Sequence, residues 1–245
     1  MTYMKGWSHT RLFARQLKRI GRLATGRDVI YRYDARLPKL RLGTVYGGWT
    51  IVPDALTNDS VICSFGVGND ISFDLETIEK FGLTVHGFDP SPEAVRWISE
   101  QVNLPANYVF HPYGLGKEDG EVTFSVPEAG GMYSLSESHR HVGKKKVSLP
   151  VRTLTSVIRS LPVRFVNVLK LDIEGAEYDL IDDLIENRSS IGQLLIEFHH
   201  RIGVAPLKRT VSCVNRVRAA GFALFHVSST SSEFSFIRGK DANPH

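Results

Sequence analysis

From residue 60 onward, short apolar runs typical of buried strands alternate with stretches in which apolar residues recur at helical spacing. The apolar runs lie at 61–65, 84–88, 108–110, 165–171, 194–198, 222–227 and 234–237. The stretches with helical spacing lie at 71–78, 92–102, 153–158, 178–185 and 207–220. Because the strand runs are apolar on both faces and alternate with helices, the pattern predicts a parallel sheet covered by helices on both sides.

Two parts of the pattern depart from this alternation. The last two strand runs are joined only by a serine-rich turn at 228–232, which is too short for a crossover and predicts an antiparallel hairpin. Residues 121–126 and 147–151 alternate like a hairpin or a pair of edge strands around a loop. The predicted fold class is therefore α/β, with a mostly parallel seven-stranded sheet that ends in an antiparallel C-terminal hairpin.

The first 50 residues follow a different pattern. Residues 8–25 place apolar side chains on one stripe and arginines and lysines on the other, as in an amphipathic helix. Such a helix packs on the main domain, forms a lid or makes peripheral contact with a membrane, and the sequence leaves these roles open. Residues 37–59 are rich in turn-forming residues and predict an irregular lead-in. The chain is thus divided into a basic N-terminal segment, 1–50, and one domain, 51–245.

Composition sets the broad class of the protein. The 245 residues, 42% of them hydrophobic, suffice for one large α/β domain with a full core. No apolar run approaches the roughly 20 residues that a membrane-spanning helix needs. Because the first residues are too polar for a secretory signal, we expect a cytoplasmic protein. Cys63 lies in an apolar run and Cys213 in a helical pattern, which favours reduced core residues over a disulfide or metal site.

The formal net charge is +4, and much of the excess lies in the first stretch of the chain and in the lysine run 144–146. Basic surface attracts nucleic acid, anionic lipid or acidic substrates, although a solvated face is the more common explanation. No interleaving of aromatic and basic residues is visible, so we expect no nucleic-acid partner. The oligomeric state is not predicted.

Ligands of a parallel α/β sheet bind beyond the carboxyl ends of its strands. The first strand run leads into Ser64-Phe65-Gly66-Val67-Gly68-Asn69-Asp70, in which Gly66 permits a sharp turn and Gly68 lets a ligand approach the backbone. The third glycine of a dinucleotide fingerprint would stand at position 71, which is Ile71. The loop therefore fits a ligand without a pyrophosphate at least as well as NAD, and a plain strand-to-helix turn is the alternative.

The next two strand runs end in residues suited to an adenosine. Asp89 follows the second run and lies 21 residues after Gly68, where an acid accepts hydrogen bonds from both ribose hydroxyls. Ser91 is placed to cap the following helix, so Asp89 is not needed for that role. After the third run, the backbone near Gly114 and Leu115 is a candidate adenine pocket, with a simple loop and turn as the alternative.

Acidic residues follow the fourth strand run, and a histidine follows the fifth. Asp172, Glu174 and Glu177 fall within six residues, and acids held this close bind a cation, act as a base or orient a substrate hydroxyl. Glu177 is also explained as an acid at a helix N-terminus. Glu197 and His199 alternate and are able to share one face, which makes His199 a candidate base or metal ligand. The sequence leaves open whether a divalent metal is used.

These segments together resemble the FkbM-type S-adenosylmethionine-dependent methyltransferases. The matching stretches are SFGVGND, HGFDPSPEA, GLGKEDGEVTF, LKLDIEGAEYDLI and LLIEFHH, in this order over about residues 60 to 200. LKLDIEGAEYDLI is the most specific of them. Ser64 departs from the pattern, because many members carry an acid there, near the cofactor.

The resemblance implies a Rossmann-like class I methyltransferase fold, S-adenosylmethionine as cofactor, and O-methylation of hydroxyl groups on sugars or other small natural products. It implies that the cofactor-binding residues are Ser64, Gly66, Gly68, Asn69, Asp89, Pro90, Gly114 and Leu115. It places Asp172 and Glu174 at the methyl-transfer region and His199 nearby as a possible base. The alternatives are a nucleotide-dependent oxidoreductase, a catalytically silent cofactor-binding protein of the same fold and an RNA-modifying enzyme.

Overall fold

The computed structural model describes residues 21–126, 145–200 and 205–239. Most of the helix predicted over 8–25 lies outside these residues, and its membrane or lid role stays a prediction; residues 21–24 are helical. None of the helices in the described parts is long and apolar enough to cross a membrane. Cys63 and Cys213 are both free and buried, as the sequence predicted.

Beyond the helical residues 21–24, the described part of the chain contains twelve strands and five α-helices. The strands are β1 (Leu40–Leu42), β2 (Trp49–Ile51), β3 (Val61–Phe65), β4 (Thr84–Phe88), β5 (Tyr108–His111), β6 (Gly114–Leu115), β7 (Gly120–Val126), β8 (Lys145–Arg152), β9 (Val166–Leu171), β10 (Ile191–Glu197), β11 (Phe222–Val227) and β12 (Glu233–Arg238). The helices are α1 (Ser72–Phe81), α2 (Pro92–Ser99), α3 (Leu154–Ser160), α4 (Ile181–Glu186) and α5 (Leu207–Ala219). Short 3-10 turns lie at Pro53–Ala55, Ala176–Asp179 and Arg188–Ser190.

Seven strands form the central sheet, in the order β11-β12-β10-β9-β3-β4-β5. β3, β4, β5, β9 and β10 are parallel to their neighbours in this group, whereas β12 runs antiparallel to both β10 and β11. The predicted mostly parallel sheet with an antiparallel C-terminal hairpin is therefore confirmed. The strand order reverses between β3 and β9, so a crevice opens at their carboxyl ends.

Helices cover both faces of this sheet, as the apolar pattern predicted. Leu194 and Ile196 of β10 pack in one core, and Leu195 between them packs in the other. The first core also contains buried residues of α3, α4 and α5, and the second contains buried residues of α1 and α2. Side chains that alternate between two cores are what a strand buried on both faces requires.

A second, smaller sheet has the order β6-β8-β7. β7 and β8 pair antiparallel, which confirms the hairpin predicted from 121–126 and 147–151. β6 pairs parallel with β8, so Gly114 and Leu115 form a short strand rather than a plain loop.

The structure differs from the predicted pattern in three places. The lead-in predicted to be irregular over 37–59 contains the antiparallel hairpin of β1 and β2. Gln193 of β10 fixes it to the main sheet, because its side-chain amide exchanges hydrogen bonds with the backbone N–H and C=O of Val52 at 2.8 and 3.0 Å. The helix predicted over 178–185 is a 3-10 turn followed by α4, and α2 ends at Ser99 rather than near 102.

Candidate functional site

A cavity of about 1220 Å³ opens at the carboxyl ends of β3, β4, β9 and β10. The predicted site residues in its wall are Gly66, Gly68, Asn69, Asp89, Pro90, Gly114, Leu115, Asp172, Glu174 and His199. Ser64 is not in the wall, because it is buried within β3 and neighbours Asp74 of α1 instead. The structure thus brings together every predicted site residue except Ser64.

Gly66 holds the turn that begins the loop of residues 66–70, which we call the cofactor loop after its predicted role. Its φ is +81°, and its N–H donates to Phe88 O at 2.9 Å. A Cβ added to it would lie 1.7 Å from the carbonyl oxygen of Asp172, a distance at which no side chain fits. Gly68 has a φ of +55° but no heavy atom within 4 Å of such a Cβ. Gly66 is thus required for close packing, whereas Gly68 leaves open space beside the backbone.

Asp89 joins the cofactor loop to the end of β4. One of its carboxylate oxygens accepts a hydrogen bond from Gly68 N–H at 2.9 Å, and the other accepts from the N–H and Oγ of Ser91 at 2.9 and 2.6 Å. Ser91 Oγ in turn accepts from Ala94 N–H and caps α2, as predicted. The carboxylate is therefore held rigidly at the cavity wall, where its remaining acceptor capacity suits a ribose diol.

Lys170 is a site residue that the sequence reasoning did not single out. Its side chain is buried, and its Nζ donates to Gly66 O at 2.8 Å and to Phe65 O at 3.3 Å. The ammonium group therefore fixes the cofactor loop from the β9 side, while Asp89 fixes it from the β4 side. The available signal was one lysine within an otherwise apolar strand run, because a buried lysine needs such partners.

The loop of the β1–β2 hairpin supplies a wall that the sequence did not predict. Thr44 Oγ1 donates to Asp70 Oδ2 at 2.6 Å and accepts from Gly47 N–H at 2.9 Å. Thr44 N–H donates to Ser72 Oγ at 2.8 Å, so the hairpin is bonded directly to the end of the cofactor loop. Tyr46 lies in the cavity wall with 79% of its surface exposed.

Acids and one histidine form a cluster at the ends of β9 and β10. We call it the carboxylate–histidine cluster, and its members are Asp172, Glu174, Glu177, Glu197 and His199. His199 Nδ1 lies 2.9 Å from Glu177 Oε1, and His199 Nε2 lies 3.4 Å from Glu174 Oε2 and 3.7 Å from Asp172 Oδ1. Glu177 is fully buried behind the histidine, whereas Asp172 and Glu174 are partly exposed to the cavity.

Burial and the neighbouring charges shift the ionisation of this cluster. Burial alone lowers the pKa of His199, but hydrogen bonds and charges from Glu174 and Glu177 outweigh burial and raise that pKa to about 11. Burial and the charge of Asp172 raise the pKa of Glu197 to about 8, and burial also raises the pKa of Asp172. These acids favour the protonated imidazole, whereas a general base must be unprotonated, and the role of His199 as a base stays a prediction.

The sheet order and the glycine loop with its acid define a Rossmann-like class I methyltransferase. The chain matches the methyltransferase FkbM domain over residues 55–224, which is more than half of its length, and it belongs to this family. Its cofactor is S-adenosylmethionine. The division of the chain at residue 50 stays a prediction.

The chain is also similar to several characterised proteins. One is the hexuronic acid methyltransferase AglP of Haloferax volcanii, with 25% identity over 127 residues, or 50% of this chain and 49% of AglP; the chain spans about half the length of this relative. A solved structure of similar fold is the Methanococcus jannaschii fibrillarin pre-rRNA processing protein, with 15% identity and a TM-score of 0.44 over 75% of this chain and 68% of that one. Another is WbdD, with 12% identity and a TM-score of 0.41 over 94% and 41%.

The residues present fit S-adenosylmethionine. Gly68 leaves room for a ligand beside the backbone, and Asp89 presents a rigid carboxylate at the cavity wall. When bound, the cofactor supplies an electrophilic methyl group, and the protein contributes binding, orientation and exclusion of water.

Proposed function

We propose that this protein transfers the methyl group of S-adenosylmethionine to a hydroxyl oxygen of a sugar or another small natural product. The observation that carries the proposal is the carboxylate–histidine cluster beside the cofactor loop. The backbone of Asp172 packs against Gly66, so the acids stand at a fixed distance from the loop. A hydroxyl that attacks a methyl group must lose its proton, and the cavity-facing carboxylates of Asp172 and Glu174 are placed to accept it.

Charge in the cavity favours a hydroxyl over a carboxylate as the acceptor group. The described residues of the cavity wall include two basic side chains besides His199, those of Arg96 and Lys170. Lys170 is bonded to the backbone of the cofactor loop. Arg96 lies on α2, which follows β4, and β3 separates β4 from the strands β9 and β10 that carry the cluster. With no cation bound at the cluster, a second anion beside Asp172 and Glu174 would meet like charge in a partly buried site, whereas a neutral hydroxyl would not.

Two observations support a sugar as the acceptor. The AglP relative is a hexuronic acid methyltransferase, and a hexuronic acid is a sugar that carries several hydroxyls and one carboxyl group. Tyr46 offers an exposed aromatic ring in the cavity wall. Partial burial raises the pKa of its hydroxyl, and the charges of Asp172 and Glu174 raise it further, so the ring lies near the cluster. An aromatic ring with a polar tip suits the apolar face and hydroxyl edge of a sugar.

The test is to incubate the purified protein with methyl-deuterated S-adenosylmethionine and a panel of hexoses, hexuronic acids and sugar nucleotides. Mass spectrometry would detect the labelled product, and mild alkali would separate methyl ethers, which survive, from methyl esters, which are hydrolysed. We expect an alkali-stable product and a large loss of turnover in Asp172→Asn with cofactor affinity nearly intact. An alkali-labile product would contradict the hydroxyl acceptor. Cofactor binding without any product across the panel would favour a catalytically silent binding protein.

A further inference from the structure

His199 is held in one orientation by a buried acid. Glu177 Oε1 accepts hydrogen bonds from the backbone N–H of His199 at 3.2 Å and, with the proton assigned to Nδ1, from the imidazole at 2.9 Å. The other oxygen of Glu177 accepts from Gly175 N–H at 2.8 Å. Because both oxygens of Glu177 are engaged, the imidazole is fixed with Nε2 turned away from Glu177 and toward the cavity. This is how proteins orient a histidine that ligates a metal.

Three ligand atoms converge in front of that nitrogen. Asp172, Glu174 and His199 each contribute one such atom, and the three atoms lie within 4.8 Å of one another. His199 Nε2 lies 3.4 Å from Glu174 Oε2 and 3.7 Å from Asp172 Oδ1. Donor atoms that share one cation at about 2.1 Å lie roughly 3 Å apart when adjacent and roughly 4.2 Å apart when opposite. The cluster is therefore close to the spacing of a single ion's ligands.

The chain reaches this geometry from two neighbouring strands. Asp172 follows β9 and His199 follows β10, whose parallel pairing sets their ends side by side. Glu174 is turned back toward them by a left-handed backbone, with a φ of +54° at Glu174 and +103° at Gly175. The side chain of Asp172 is 30% exposed and that of Glu174 is 16% exposed, so an ion here would keep open positions toward the cavity.

We propose that Asp172, Glu174 and His199 bind one divalent cation of the kind that accepts mixed oxygen and nitrogen ligands, such as Mn²⁺, and that Glu177 is the positioning residue for His199. The inference deepens the proposed function and rests on it in one respect: an ion with an open position would hold the acceptor oxygen and favour its deprotonated form. Asp172 and Glu174 would then serve as ligands, and the released proton would pass to water in the open cavity. The binding site itself stands on the geometry of the four side chains. The rival explanation is a protonated His199 that bridges the same acids without a metal.

The first experiment titrates the full-length protein, freed of metal with a chelator, with Mn²⁺ and follows binding by calorimetry and electron paramagnetic resonance. We expect one Mn²⁺ per chain and a nitrogen hyperfine coupling from the histidine. Glu174→Gln and His199→Gln should each weaken binding at least about tenfold, and His199→Gln should remove the nitrogen coupling. Glu93→Gln is the matched control, because Glu93 is an exposed acid in the wall of the same cavity; it should leave affinity unchanged.

Glu177→Gln tests the positioning role, with an expected loss of about 10- to 100-fold in Mn²⁺ affinity. Thermal unfolding of each variant identifies any that fail to fold. If His199→Gln does not fold, Glu174→Gln still tests the site, because Glu174 is partly exposed. Absence of stoichiometric binding, or equal binding by the Glu174 and Glu93 variants, would overturn the site. Because binding is measured without an acceptor, Mn²⁺ binding with no methylated product would fault the proposed function alone. Metal-independent methylation of a hydroxyl, with no Mn²⁺ bound, would fault the metal site alone.

Discussion

The carbonyl oxygen of Asp172 occupies the space in which a side chain at position 66 would begin, because a Cβ on Gly66 would stand 1.7 Å from it. The backbone N–H of Asp172 also donates to Phe65 O at 3.1 Å. The strand end that carries the acids and the loop predicted to bind the cofactor are therefore one packed unit. A shift of either by a fraction of an ångström would change the distance between methyl donor and acceptor, on which in-line transfer depends.

Two alanine substitutions separate the roles of the two loop glycines. Gly66→Ala meets both a backbone clash and a left-handed φ, so it should lower the free energy of unfolding by at least about 3 kcal/mol and abolish cofactor binding. Gly68→Ala meets only the left-handed φ, which costs about 1 to 2 kcal/mol. Urea unfolding of both variants measures the difference. Equal effects at the two positions would show that the contact with Asp172 does not govern the loop.

Asp89→Ala tests the ribose ligand. We expect it to weaken S-adenosylmethionine binding by roughly 1.5 to 3 kcal/mol, the range for a hydrogen bond to a charged group. Ser91→Ala is the matched control: it breaks the helix cap and one bond to Asp89, at about 1 kcal/mol of stability, but keeps the carboxylate. Calorimetry with S-adenosylmethionine compares them. If Asp89→Ala bound the cofactor as tightly as Ser91→Ala, Asp89 would have no place in the site.

Asp74 predicts a dependence of stability on pH. Burial raises the pKa of this carboxyl to about 6 in the folded protein, above its value of about 3.9 in an unfolded chain. Between these values the unfolded state loses its proton first, so the wild type loses stability as pH rises from about 4 through about 6. Asp74→Asn cannot ionise. The free energy of unfolding of Asp74→Asn minus that of the wild type should therefore rise by roughly 2 to 3 kcal/mol as the pH is raised from 4 to 7.5.

Chemical unfolding of wild type and Asp74→Asn at several pH values measures this difference. Only its change with pH is informative, since the substitution also alters the surroundings of Ser64 and Lys170. A difference that stayed constant from pH 4 to pH 7.5 would mean that Asp74 ionises as readily in the folded protein as in the unfolded chain.

The hydrogen bonds of Thr44 predict that cofactor binding changes the dynamics of the β1–β2 hairpin. Cofactor binding should order Asp70, and through the 2.6 Å bond to Thr44 it should slow amide hydrogen exchange at Gly47. Thr44→Val keeps the size of the side chain but removes both hydroxyl bonds. Each is worth about 1 kcal/mol, or roughly fivefold in the local opening equilibrium. Hydrogen exchange at Gly47, with and without S-adenosylhomocysteine, measures this protection in the wild type and in Thr44→Val. Identical protection by the ligand in the two proteins would refute the link.

Local patterns were sufficient to predict most of the fold. Alternation of apolar runs with helical spacing gave the seven strands of the main sheet, and the short serine turn gave its antiparallel end. The Ser91 cap could be predicted because a serine directly before a proline is a typical start of a helix, with Pro92 at its first position. The β1–β2 hairpin was missed because each strand has three residues, too few for a period to appear. The break before α4 was missed because the apolar spacing continues across it.

The site was predictable where function follows from position at a strand end, and not where it depends on contacts across the fold. Asp89, Asp172 and His199, which the structure places in the cavity wall, could be selected because each directly follows a strand run; their roles stay predictions. Lys170 was not, because its partners on the cofactor loop are about a hundred residues away in the chain. Ser64 was assigned by family pattern alone, and its place within β3 turns it toward α1. Glu177 was explained as a helix-end acid, whereas its buried carboxylate holds His199.

The β1–β2 hairpin has one further consequence. It lies before the family match, which begins at residue 55, yet Thr44 and Tyr46 form part of the cavity wall. The cavity therefore has a modular wall: one part belongs to the matched domain, and the other is an earlier segment held by hydrogen bonds to Asp70, Ser72, Glu76 and Gln193. A graft that exchanges residues 40–51 between family members would alter the approach to the methyl group while leaving the glycine turn and its acid untouched.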